Sequence, residues 1–135
     1  MPTRNIKSPA TRGKPWSEGE LLGLIEIIHG DLASSAEIVL VTVVRDNLFF
    51  MGAFLNHYRA LGVNRFLVLD DWSDDTFLTY LKSHSDVTVL RVPMRFPERL
   101  MWEDSEGGFH NESAGGTYKD LISRHLVDSP WSIVL

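Results

Sequence analysis

With 135 residues the chain has the length of one ordinary domain, and its 44% apolar content is enough for a core that buries roughly 70% of the unfolded chain's surface. A net charge of −5 argues against a nucleic-acid partner, and the absence of cysteine excludes disulfides, thiolate metal sites and cysteine nucleophiles, which fits a cytoplasmic protein. No apolar run approaches the ~20 residues of a transmembrane segment, and the run at 21–28 is interrupted by Glu26 and lacks a small-residue cleavage site.

Residues 1–15 hold Arg4, Lys7, Arg12 and Lys14, three prolines and no acid, the composition of a disordered basic tail. Ser17 is placed to cap a helix with Glu18 and Glu20 in its first turn. Leu21, Leu22, Ile25 and Ile28 form its apolar face and Gly30 ends it, so that 16–36 reads as a helix and a linker. The domain proper is expected over 37–135.

The stretch EIVLVTVV, 37–44, is β-branched and almost continuously apolar, the pattern of a strand covered on both faces. Asp46 or Asn47 can cap the following helix, whose stripe of Phe50, Met51, Phe54, Leu55, Tyr58 and Leu61 stops at Gly62. RFLVL then predicts a second strand. Ser73 is the expected cap of a short helix over 74–82, and 86–92 predicts a third strand. Residues 93–116 read as one long irregular loop rich in glycine and proline. Thr117 and Asp120 form a capping pattern before a helix, and WSIVL, 131–135, predicts a fourth strand. The alternation predicts an α/β fold with a mainly parallel sheet and flanking helices. In such sheets ligands bind beyond the C-terminal strand ends.

One of those ends is crowded with acid. Asp70, Asp71, Asp74 and Asp75 fall within six residues directly after an apolar run. Asp74 and Asp75 are explained as helix starters, stabilising the first turn by ~0.3–1 kcal/mol each. Asp70 and Asp71 precede the helix and are candidates for ligand contact. The loop acids Glu98, Glu103, Asp104, Glu106 and Glu112, with His110, lack metal-ligand spacing and read as a solvated loop. Trp102, Phe109 and His110 are candidates for stacking on a sugar or base.

LVLDDWSDDT resembles the V-V-D-D-x-S-x-D-x-T turn of family 2 glycosyltransferases of GT-A fold. The longer stretch from VTVVRDN through HYRALGV to LVLDD is similar to a bacterial branch of that family, and GTYKDLISRHLVDSPWSIVL resembles its later helix and strand. The resemblance covers about 38–135. It implies a GT-A, Rossmann-like N-terminal half that binds a nucleotide-diphospho-sugar donor and transfers the sugar to a glycan, lipid or protein acceptor. Carried over, Val44, Arg45 and Asp46 line the first nucleotide contact, and Asp70 or Asp71 the second. His57 and Tyr58 match the family helix, where the apolar stripe indicates packing.

Two departures stand out. Asn47 occupies the family's acidic position after the first strand, and the D-x-D that holds Mn²⁺ or Mg²⁺ in the complete family enzyme is absent. The resemblance therefore implies the nucleotide-binding half of an enzyme, truncated before its metal motif, with no catalytic residue assigned and no tightly bound metal. It also implies self-association through the C-terminal strand edge. Two other function classes compete. A non-catalytic nucleotide-binding or interaction module is the alternative that the missing metal motif keeps open. A phosphoacceptor signalling domain would place its acid pair after the first strand, whereas here the pair follows the second.

Overall fold

The computed structural model describes residues 10, 12–32 and 37–135. The tail residues 1–9 and 11, and 33–36 of the expected linker, lie outside that range. The chain forms four helices and two sheets among the described residues.

The larger sheet carries the core. β3 (Ile38–Val44) pairs in parallel with β4 (Arg65–Asp70), which pairs in parallel with β5 (Val87–Arg91); on its other side β3 pairs in parallel with β8 (Trp131–Val134). β2 (Glu26–His29) closes the β5 side antiparallel, giving the order β2-β5-β4-β3-β8. The α/β character agrees with the sequence. The expected mainly parallel sheet does not hold as stated, because both sheets are mixed.

The apolar strands are buried on both faces, as their composition requires. On one face Val39, Val41, Leu67, Leu69 and Leu90 pack under α1 (Glu18–Gly23) and α4 (Ala114–His125), through Leu21, Tyr118, Leu121 and Ile122. On the other, Leu40, Phe66, Val68, Val87 and Val89 meet Met51 and Leu55 of α2 (Leu48–Ala60) and Phe77 and Leu81 of α3 (Asp75–Lys82).

The helix ends follow local chemistry. Ser17 and Glu20 form a complete capping box on α1, but that helix runs for only six residues. Of the apolar stripe expected to extend it, Ile25 lies just before β2 and Ile28 within it. Leu21, Leu22, Ile25 and Ile28 satisfy a helical period, but pairing with β5 satisfies the backbone of this edge strand. Gly30 then turns away from the sheet at φ 85°, where a Cβ would stand 2.9 Å from the Val87 carbonyl oxygen. Gly62, at φ 103°, stops α2 as expected. Its N–H bonds the Arg59 carbonyl and that of Val63 bonds Tyr58, a Schellman closure.

The region read as a long loop contains a hairpin. β6 (Arg99–Glu103) and β7 (Phe109–Ser113) pair antiparallel, and β1 (Trp16–Ser17) adds to β6 in parallel. Leu100 and Trp102 turn inward and Arg99, Met101 and Glu103 outward, a period of two. Asp104 organises the turn, accepting the N–H groups of Glu106 and Gly108 and meeting His110 Nε2 at 2.8 Å. The His110 bond, helped by those backbone donors, holds its carboxyl below the usual range. α4 begins at Ser113, whose side chain accepts from Gly116, rather than at Thr117, which is buried and bonds Glu112. Arg12, placed by sequence in the basic tail, lies over the Trp16 ring and grips Glu20, holding that exposed carboxyl down to about 2.

Candidate functional site

The C-terminal ends of β3, β4 and β5 meet at one edge of the sheet, and the four aspartates of the second strand end divide into distinct jobs. Val44 lies opposite Asp70 in the β3–β4 ladder, and the Asp71 N–H extends that ladder by bonding the Val44 carbonyl at 2.8 Å. The Asp70 side chain is fully buried. Its Oδ2 accepts from Arg91 Nε at 3.0 Å, Arg91 Nη2 at 2.9 Å and the Ser73 N–H at 3.1 Å, while Oδ1 is buried with no hydrogen-bond partner among the described residues. Asp71 is also buried. Its Oδ1 accepts from Arg95 Nε at 3.0 Å and from the Phe96 N–H at 3.2 Å.

Asp74, not Ser73, is the cap of α3, accepting the Phe77 N–H at 2.9 Å. Ser73 is drawn away because its hydroxyl accepts the Asp46 N–H at 2.8 Å. The Asp46 carboxylate in turn accepts the Asp74 N–H at 2.8 Å. Asp46 therefore does not cap α2. Asn47 occupies that position without a side-chain hydrogen bond. These reciprocal bonds tie the first strand end to the second. Arg45 is exposed beside them.

Among the described residues, the non-glycine residues at positive φ are Asp46 at 44° and Trp72 at 56°. Both stand at this edge. For a bulky residue such as tryptophan the left-handed conformation is rare and strained. Trp72 is held by its indole N–H, which donates to the Val92 carbonyl at 2.9 Å, and by the Arg91 guanidinium 4.8 Å from the ring centroid. Its side chain is nevertheless half exposed. A cleft of about 230 Å³ opens against it, lined by Leu24, Glu26, Trp72, Arg91, Val92 and Pro93.

The structure thus brings together Val44, Arg45, Asp46, Asp70 and Asp71, but it spends the last two on arginines that sequence reasoning passed over. Arg91 was visible as a charged residue closing an apolar strand, and Trp72 as the variable position inside the acidic turn. Nothing in the local sequence linked either to Asp70. The other aromatic candidates lie elsewhere. Trp102 is buried, with His110 stacked on it at 4.2 Å, and Phe109 is exposed on the hairpin. His57 and Tyr58 line a second cavity of about 430 Å³ on α2 with Phe50, Ala53 and Phe54. Among the described residues no group of three or more His, Asp or Glu side chains is arranged to hold a metal ion, and no helix is long and apolar enough to cross a membrane.

The class these observations define is a mixed α/β protein with an ordered, partly strained cleft at the C-terminal strand ends. Comparison with protein-family models, curated proteins and solved structures finds no match.

Proposed function

We propose that this chain binds the nucleotide of a nucleotide-diphospho-sugar at the ends of β3 and β4, as part of a glycosyltransferase that passes the sugar to a glycan, lipid or protein acceptor. The observation that carries the reading is the placement of Asp46 and Trp72. Two side chains at left-handed φ terminate adjacent parallel strands and are cross-linked through Ser73 and Asp74. Strain of this kind, about 1–3 kcal/mol per residue, collects at ligand sites, and the C-terminal edge is where open α/β sheets bind.

In this reading the direct contacts come from Arg45, whose exposed guanidinium meets a phosphate, and from the Asp46 carboxylate, which accepts from ribose hydroxyls. Asp70 and Asp71 act one step back by fixing Arg91 and Arg95. The family's Mn²⁺ or Mg²⁺ would neutralise the diphosphate, but the described residues do not fit that ion, and none of these roles runs through it.

Calorimetric titration of nucleoside diphosphates tests the reading. Asp46→Gly keeps the left-handed backbone while removing the carboxylate, and Arg45→Ala removes the charge. Each is expected to weaken binding by about 10–100-fold, the loss of one charged hydrogen bond. Absence of binding by the parent chain, or two variants that bind as the parent does, overturns it.

A further inference from the structure

We propose that the outward face of α2 is an interface between two copies of this chain, which pack antiparallel about a two-fold axis at the level of Leu55. The sequence pattern places a single apolar stripe on this helix, but the structure divides it. Met51 and Leu55 are buried against the sheet, whereas Phe49 is fully exposed, Leu61 is 64% exposed and Phe50 54%. On the exposed side Phe50, Ala53, His57 and Ala60 recur at spacings of three, four and three, the period of a helix–helix seam. Phe50, Ala53 and His57, with Phe54 and Tyr58, line a groove of about 430 Å³ there. The lysine, arginine and carboxylate side chains of α2 come down to Arg59, and its two bonds to Asp86 turn that charge toward the start of β5. The outward face therefore presents no carboxylate, ammonium or guanidinium group, where an ordinary solvated surface is ~25–35% charged. A helix that is apolar on every side is one that is covered on every side.

Shape, charge and area select a second copy as the occupant. With the axis at Leu55, Phe49 of one copy meets Leu61 of the other, Phe50 meets Ala60, and Ala53 meets His57. At the last two contacts a large side chain faces an alanine, the alternation that lets facing helices interdigitate. The charges favour the same arrangement. A Cβ on Gly52 would stand 3.1 Å from the Tyr80 hydroxyl, so α2 and α3 lie side by side on one face of the sheet. Each returns from one parallel strand to the start of the next, so they run the same way. Their N-terminal ends carry exposed Asp46, Asp74 and Asp75 beside Arg45. Their C-terminal ends carry Arg59 and exposed Lys82 beside Asp86. Antiparallel packing sets the acidic end of each copy on the cationic end of the other and opposes the helix dipoles, whereas a parallel arrangement sets like on like. The exposed parts of Phe49 and Phe50 alone amount to about 300 Å² per copy, an apolar centre of fitting size for the ~800 Å² per partner of a standard interface.

Sedimentation equilibrium of the 135-residue chain over a range of concentrations tests the inference. The parent should reach twice the chain mass at high micromolar concentration and dissociate on dilution. Ala53→Glu should weaken association by about tenfold or more, because each copy then buries an unpaired carboxylate. Ala53 is exposed and glutamate is a good helix former, so the diluted variant should keep the thermal midpoint of the diluted parent. Phe50→Ala should also weaken the dimer, and Phe50→Ala/Ala60→Phe should restore it, because Phe50 of one copy faces Ala60 of the other. Val134→Lys, on the outer strand β8, should leave the dimer intact. A parent that stays monomeric at millimolar concentration overturns the inference. So does a dimer that survives Ala53→Glu, or one that Val134→Lys dissolves, which would place the contact at the sheet edge. A folded double variant that associates no better than Phe50→Ala overturns the antiparallel packing.

Discussion

Replacing Arg91 with methionine isolates the ion pair beneath the cleft. Asp70 has 0% of its side chain exposed and Arg91 16%, so water cannot take over the carboxylate's hydrogen bonds. Arg91 supplies two of the donors to Oδ2, Ser73 supplies the third, and among the described residues Oδ1 has none to lose. Methionine keeps an apolar stem against Trp72 but strips every donor. Breaking a buried pair from one side costs about 3–5 kcal/mol because a charge is left stranded. Loss of the guanidinium over the ring adds about 0.5–1 kcal/mol. For a chain of this length that lowers Tm by about 10–20 °C. Urea unfolding of the parent, of Arg91→Met and of Asp70→Asn/Arg91→Met provides the measurement. The double variant buries no charge and should regain ~2 kcal/mol or more of the single variant's loss. A single variant within ~1 kcal/mol of the parent, or a double variant no better than the single, would refute the reasoning.

Gly30→Ala should destabilise by about 1–3 kcal/mol, since its φ is 85° and the new Cβ meets the Val87 carbonyl at 2.9 Å; an unchanged thermal midpoint would contradict that close approach. His84 titrates below the usual histidine range, first because of burial and then because of the nearby Arg59 guanidinium, against an opposing pull from Asp86. The unfolded chain therefore binds this proton more readily, so stability falls as pH drops through the ordinary value of 6.5. Unfolding measured between pH 8 and pH 5 should show this slope in the parent and a shallower one in His84→Gln. Asp74→Ala should cost about 0.5–2 kcal/mol through the lost α3 cap, whereas Ser73→Ala should leave α3 capped and loosen the link to Asp46. Amide exchange at Phe77 and Asp46 distinguishes the two.

The central strands were legible because they are buried on both faces, which forces continuous apolar runs in the sequence. Gly62 was legible because only glycine suits its φ. The helix starts were harder. Ser73 and Asp74 are both good caps, and the choice between them is made by Asp46, 27 residues upstream of Ser73, whose N–H takes the serine hydroxyl. Ser113 and Thr117 compete similarly, and a partly buried bond to Glu112 removes the threonine. β2 was misread because an edge strand with Leu21, Leu22, Ile25 and Ile28 nearby also satisfies a helical period. The hairpin could have been found: Arg99 and Glu103 bracket Leu100 and Trp102 at a spacing of two, and Gly107 and Gly108 mark its turn.

The place of the candidate site at a C-terminal strand end follows from topology, since the acids follow an apolar strand. Their roles do not. Asp70 meets Arg91 and Asp71 meets Arg95 only because β4 and β5 lie side by side, which places residues 21 and 24 positions apart in contact. The sequence reading treated both acids as free to meet a ligand, and in the structure each already holds an arginine.

The location of a bound nucleotide is measured most directly by ¹H–¹⁵N spectra recorded during titration with uridine and guanosine diphosphates. Binding at the C-terminal strand ends shifts the amides of Arg45, Asp46, Asp71, Trp72 and Val92, and leaves those of Asn64 and Asp86, at the opposite ends of the strands, in place. Absence of shifts at millimolar nucleotide, or shifts confined to the α2 surface around Phe50 and Tyr58, would contradict it.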